Sequence, residues 1–355
     1  MTNDMTKGSP IKLILSFMVP LLIGNIFQQF YNMADTIIVG RTISVEALAA
    51  VGATGSISFL IVGFVQGVTS GFAVITAQRF GAGSENGVRR SVATSIILGI
   101  AVTIVMTAIS VLAARPLLEI MKTPSDIIDD SYNYIIVIFE GIAAAVFFNL
   151  FSSILRSLGD SKTPLVFLII ASIINIILDF VFILTFKMGV AGAGWATVIA
   201  QFISGILCFV YSLKKFPILR LTKHDWKFSW KFAWQHLEVG LPMAFQFSIT
   251  AIGTMVIQSA LNSLGSTAVA AFTAGSKIDQ FATQPLASLG VAVATYTAQN
   301  YGARELERIK KGVTGAAIIA TVCGIVGGFV VITFAKPLVA LFVGSGQDRK
   351  STRLN

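Results

Sequence analysis

The chain has 355 residues, 55% of them hydrophobic and only 12% charged, with a net charge of +9. Soluble domains carry about 25% charged residues, so this much apolar surface excludes a single water-soluble core and requires helices that cross lipid. The positive charge would point to nucleic acid in a soluble protein, but here it stands in short loops between apolar runs, where membrane orientation accounts for it and no nucleic-acid partner is expected.

Lys7 and Lys12 precede an apolar stretch that reaches Val39. It is too long, and too polar in its second half, for a cleaved signal peptide, so it is predicted to be the first membrane helix. Runs of about 20 or more apolar residues, enough to span a bilayer, fall at 13–39, 48–78, 92–114, 131–154, 165–186 and 190–213. In the first, Pro20 removes a backbone hydrogen bond and offers a place to bend, while Asn25, Gln28, Gln29, Asn32 and Asp35 follow three- and four-residue steps and share one face. Glu140 and Asn149 lie within the fourth. Ser172, Asn175 and Asp179 share a face of the fifth, and Thr197, Gln201 and Ser204 lie on the sixth. Cys208 and Cys323 fall inside apolar runs and imply no disulfide.

A polar linker follows, in which Trp226, Trp230 and Trp234 recur every fourth residue beside Lys223, Lys227 and Lys231. That spacing predicts an amphipathic helix in the lipid headgroup layer, with a plain aromatic belt as the alternative. Further runs at 236–261, 268–298 and 313–335 carry Gln246 and Thr250, and then Lys277, Asp279, Gln280 and Gln284, a polar stripe leading toward Ser288.

These last runs repeat the first three. Thr76-Ala-Gln-Arg-Phe-Gly-Ala82 recurs 221 residues later as Thr297-Ala-Gln-Asn-Tyr-Gly-Ala303, and the same offset pairs 115–118 with 336–339 and 47–51 with 268–272. Six helices per copy is an even number, so the expectation is an all-α membrane protein of two parallel six-helix repeats, twelve spans when complete and about nine present here. The domains are predicted as 1–213, a basic and aromatic linker at 214–235, and a partial second lobe at 236–347. The tail 348–355 resembles the translation of a sequencing adapter, and the chain is expected to be part of a longer one. With the N-terminus cytoplasmic, inside segments hold 17 Lys and Arg against 5 in outside loops, which sets the orientation.

Polar groups inside membrane helices are costly, and ionisable ones mark function by default. Asp35, Asp179 and a neighbouring amide in a desolvated pocket suit the uptake of a proton or of Na⁺. The competing reading for the amides is hydrogen-bonded glue between helices. No His-Glu-x-x-His, Gly-x-Ser-x-Gly or Walker pattern occurs. Gly159-Asp160 approaches an intramembrane aspartyl protease signature but lies in a loop, and His224 and His236 stand far from any metal-like cluster. Without an ATP-binding motif, transport must run on an ion gradient unless an outside partner drives it.

Asn-Met-Ala-Asp-Thr-Ile-Ile-Val-Gly-Arg at 32–41, the two Gln-x-x-Gly-Ala helix ends and Leu-Arg-Ser-Leu-Gly-Asp-Ser-Lys-Thr-Pro at 155–164 resemble multidrug and toxic compound extrusion (MATE) transporters, over essentially 1–347. The resemblance is to the DinF-like branch. It implies cation coupling at Asp35, Asn149, Asn175, Asp179 and Thr197, and helix bending at Pro20. Another branch places an acid in the seventh helix, and 239–261 has none. The resemblance implies an H⁺- or Na⁺-coupled exporter of amphipathic, mostly cationic drugs, monomeric, in the cell membrane and surrounded by its lipid, with no organic cofactor and no metal site. Its drug cavity is expected to draw on Gln28, Gln29, Asn32, Glu140, Gln201, Gln246, Thr250, Lys277, Asp279, Gln280 and Gln284. The alternatives are a flippase for lipid-linked precursors, which needs a strongly cationic cavity, and an intramembrane enzyme.

Overall fold

A computed structural model describes residues 4–262 and 266–334, without the side chains of 258, 259, 262, 266–271, 273, 274 and 277. The first copy runs through α1 (Pro10–Thr42), α2 (Val45–Ala53), α3 (Gly55–Gly81), α4 (Glu85–Ile120), α5 (Ile128–Glu140), α6 (Ile142–Ser157), α7 (Lys162–Phe180) and α8 (Gly189–Lys215). The second runs through α9 (Trp230–Asn262), α10 (Ser266–Gly302) and α11 (Leu306–Thr333). Among the described residues seven spans are long and apolar enough to cross a bilayer, and α5 with α6, bent by 48°, makes an eighth. The ninth expected span, 268–298, lies within α10, whose Lys277, Asp279, Gln280 and Gln284 lower its hydropathy.

Three spans depart from uniform helices. The second breaks at Thr54, between Gly52 and Gly55, where the threonine hydroxyl donates to Val51 O at 2.7 Å; glycines weaken a helix, and a hydroxyl bonded to its own backbone ends one. The fourth bends at Gly141, whose bare Cα lies against the side chain of Val198 on α8. The fifth ends in a π-turn, Val181–Thr185, with Phe186 N donating to Val181 O at 3.0 Å.

The linker corrects the sequence expectation. No helix carries all three indoles: Trp226 stands in a turn over 223–226, and α9 starts only at Trp230. The cause is Asp225, which is buried and accepts from Thr222 N and Thr222 Oγ1 at 2.7 Å each, a local bond that competes with helix. Trp230 and Trp234 remain exposed neighbours on the first turns of α9, ring centroids 6.3 Å apart. The tail 348–355 lies outside the described residues.

Glycine faces join the two copies. Gly67 and Gly71 on α3, one turn apart, meet Gly240 and Ala244 on α9, so that a Cβ on Gly67 would come within 2.5 Å of Ala244 Cα and one on Gly71 would overlap Gly240 Cα. Such small-residue spacing lets helices approach backbone to backbone in lipid. At the end of the molecule that bears the N-terminus, the duplicated heptapeptides meet reciprocally: Gly81 lies on the Gln299 carbonyl and Gly302 on the Gln78 carbonyl. Both pairs obey the offset of 221. Around them Met5 N donates to Gln299 Oε1 at 2.9 Å, Gln299 Nε2 to Ser157 O at 2.8 Å, and Arg308 to Gly8 O at 2.9 Å. Nearby His236, fully buried, joins α9 to the first copy through Ser91 at 2.9 Å, and Ser91 in turn meets Thr76 at 2.9 Å.

Overpacking the α3–α9 crossing should be selective. Gly71→Leu is expected to lower unfolding stability in mixed micelles by about 1–3 kcal/mol, whereas Gly253→Leu, with nothing within 4 Å of its added Cβ, should change it little. Equal losses at the two positions would contradict the close crossing.

Candidate functional site

The polar face of α1 places Tyr31 and Asp35 one turn apart, and α7 places Asn175 and Asp179 likewise. Asn175 and Asp179 are wholly buried and Asp35 is 7% exposed. Asp35 and Asp179 are near enough to influence one another electrostatically, and the rings of Tyr31 on α1 and Tyr134 on α5 stand in the same neighbourhood. Thr197 on α8 ties the set together, its Oγ1 accepting from Tyr31 OH at 3.2 Å and from Asn175 Nδ2 at 3.3 Å.

The oxygens are left over. Asp35 Oδ1, Asn175 Oδ1 and both carboxyl oxygens of Asp179 receive no hydrogen bond from the described residues. Buried acceptors without donors are costly, and four of them on three side chains of α1 and α7 are chemically suited to a proton or a hard cation. The π-turn begins two residues after Asp179; such turns recur where a helix has been reshaped for function.

The other predicted residues lie elsewhere. Asn149 is half-buried and donates to Ala145 O of its own helix at 2.9 Å, with no hydrogen bond to the other four members of the predicted cation set. Pro20 is buried inside an α1 that continues past it. Gln28, Asn32, Gln246, Thr250, Asp279 and Gln280 are exposed, and Gln29, Gln201 and Gln284 are half-buried. Glu140 is exposed at the α5–α6 break, and the side chain of Lys277 lies outside the described set. None of these lines the larger cavity, about 1050 Å³, which is an apolar groove between α4, α6 and α8. Asn25 belongs with the glue reading: its Nδ2 donates to Ser288 Oγ at 3.1 Å, joining α1 to α10.

Sequence reasoning missed both tyrosines. Tyr31 stands four residues before Asp35 on the polar face already recognised, and its ring hides it among apolar neighbours. Tyr134 is brought in from α5 by tertiary packing, beside a cluster that includes Val39 and Ile183, and no local pattern marks it. Among the described residues no group of three His, Cys, Asp or Glu is placed to hold a metal ion.

Residues 20–181 and 242–350 match the family model MatE. The chain is 28% identical over 349 residues to the probable multidrug resistance protein YoeA of Bacillus subtilis, covering 96% of this chain and 75% of that protein. It is 24% identical over 340 residues to a FAD transporter of Shewanella oneidensis, covering 94% and 75%. Among solved structures, a transporter of the MOP superfamily from Pyrococcus furiosus, described as having a binding pocket of reverse polarity, superimposes with a TM-score of 0.89 at 27% identity over 97% of this chain and 76% of that one.

Removing the shared acceptor should expose the coupling in this cluster. Thr197→Val strands the donors of both Tyr31 and Asn175 and is expected to cost about 1–3 kcal/mol of stability. Adding Tyr31→Phe should then cost less than the two single losses summed, and strict additivity in the double-mutant cycle would show that the pair does not interact.

Proposed function

We propose that this chain, which belongs to the MatE family of multidrug efflux transporters, couples the export of amphipathic, mostly cationic compounds to the entry of H⁺ or Na⁺ at Asp35 and Asp179. The observation that carries the reading is the cluster of four donor-less buried oxygens contributed by α1 and α7. It is a transporter of several membrane spans, not an enzyme.

The orientation proposed is N-terminus cytoplasmic, in the cell membrane, supported by the 17 to 5 excess of Lys and Arg on that side. The reciprocal glycine contacts close the lobes at the same end, which supports assigning this conformation to the outward-facing state. Cation entry from outside replaces the missing donors around Asp179. A site whose affinity changes between two conformations shifts their populations, and this is how ion binding drives release of the drug. Asn149 is proposed to join the site as the lobes move, with α1 yielding near Pro20. A single chain suffices, with lipid as its surroundings.

Cargo charge follows from the cavity. The helices at the junction between the copies, α1, α3, α9 and α10, carry arginine only at their ends, Arg41 and Arg79, with Lys277 as the one cation well inside them, while Gln28, Asn32, Gln246, Asp279 and Gln280 are exposed on them. That supports a cationic or neutral amphipath over the anionic cargo of the Shewanella relative, and over a lipid-linked pyrophosphate. Gln28, Asn32, Gln246, Thr250 and Gln280 are the proposed contacts.

In cells expressing the full-length protein, Asp35→Asn is expected to abolish ethidium efflux while leaving membrane abundance unchanged. Inverted vesicles driven in turn by a ΔpH and by a Na⁺ gradient then identify the coupling ion. Export by Asp35→Asn at the wild-type rate would overturn the assignment.

A further inference from the structure

A second site lies well away from the carboxylates. A pocket of about 610 Å³ opens where the end of α3, the first turns of α4, the 222–227 turn and the start of α9 meet. Its wall carries Arg79, Arg89, Arg90 and Lys227. One carboxylate, Asp225, faces them from inside, 3.7 Å from Arg89 and spending both its Thr222 bonds on its own turn. Four cations against one carboxylate leave a surplus of three. Glu85 stands exposed on the rim, 3.6 Å from Arg89, and so screens that arginine alone.

Two of the surplus cations, Arg79 and Arg90, are held by contacts with α9. The guanidinium groups of Arg79 and Arg90 each lie 5.3 Å from the centroid of one ring, Phe232, and Arg79 also donates to Gln235 Oε1 at 3.2 Å. Among the described residues neither they nor Lys227 has a carboxylate within ion-pair distance. Charges that serve only membrane orientation need no such arrangement. Planar guanidinium forks fixed by stacking are suited to the oxygens of a phosphate, and basic pockets beside membrane helices are known headgroup sites.

We propose that this pocket binds a phosphate group, carried either by an anionic lipid headgroup or by a free phosphate. Arg79, Arg89 and Arg90 belong to the first copy, Phe232 and Gln235 to the second, and Lys227 to the linker between them. A bound phosphate therefore joins both lobes and the linker at the end where the glycine seam is closed, and stabilises that conformation over one in which the seam has parted. The leaflet concerned rests on the orientation proposed above; the binding itself does not.

The test is a saturable thermal shift of the purified full chain in neutral detergent, at constant ionic strength, with no gradient or cargo, so its failure leaves the export reading untouched. One arm adds inorganic phosphate, the other adds phosphatidylglycerol against phosphatidylcholine. Wild type is expected to be stabilised, and the exposed-site variant Arg90→Gln/Lys227→Gln to need at least tenfold more ligand. Lys310→Gln/Lys311→Gln, which removes the same charge from the same end outside the pocket, should keep the wild-type response. A response to phosphatidylglycerol alone identifies a lipid headgroup, and a response to both probes identifies a free phosphate site. No saturable response to either probe, or equal weakening by the two double variants, overturns the proposal.

Discussion

Within a bilayer, apolar side chains gain nothing by leaving lipid for protein, so the union of the two lobes depends on how closely their backbones approach. Gly67 and Gly71 against Gly240 and Ala244 supply that approach along α3 and α9, and Gly81 and Gly302 supply it at the end bearing the N-terminus. Dispersion contacts at this range are individually small and collectively large. Because the second contact is made by the same heptapeptide in both copies, each glycine lying on the glutamine carbonyl of the other, duplication built a reciprocal joint from one motif. Among the described residues no ion pair links α1–α8 to α9–α11, so the joint can part without separating paired charges in lipid, which a salt-bridged joint could not.

The polar groups follow the opposite logic. Asn25 with Ser288, and His236 with Ser91 and Thr76, are satisfied pairs that fasten helices across the seam. At Asp35, Asn175 and Asp179 the acceptors outnumber the donors. Thr197 accepts from both Tyr31 and Asn175, so those two donations go to the hydroxyl and not to the carboxylates. Four buried oxygens thereby stay without donors, and a π-turn follows Asp179 in the segment that carries it.

Much of this was legible in the sequence because lipid imposes strong patterns. Apolar runs located the spans, and a three- and four-residue rhythm put Asp35 on the polar face of α1 and Asn175 with Asp179 on that of α7. The linker was misjudged for an equally physical reason: a four-residue recurrence of Trp226, Trp230 and Trp234 is compatible with helix, but Asp225 bonds to Thr222 and closes a turn first. Side-chain-to-backbone bonds of that kind compete with helix locally, and periodicity carries no information about which of them wins.

By itself the sequence determined the helical class, the duplication and the polar faces that carry Asp35 and Asp179, since each depends on spacing along one chain or on the cost of a residue type in lipid. Only the tertiary structure decided that Tyr31 and Thr197 share a hydrogen bond, that Tyr134 of α5 packs beside Val39 and Ile183, that Asn149 turns back on its own helix, and that four cations from three segments line one pocket with Phe232. These depend on which faces meet when helices cross, and that is set by close packing between segments far apart in the chain, where no local period reaches.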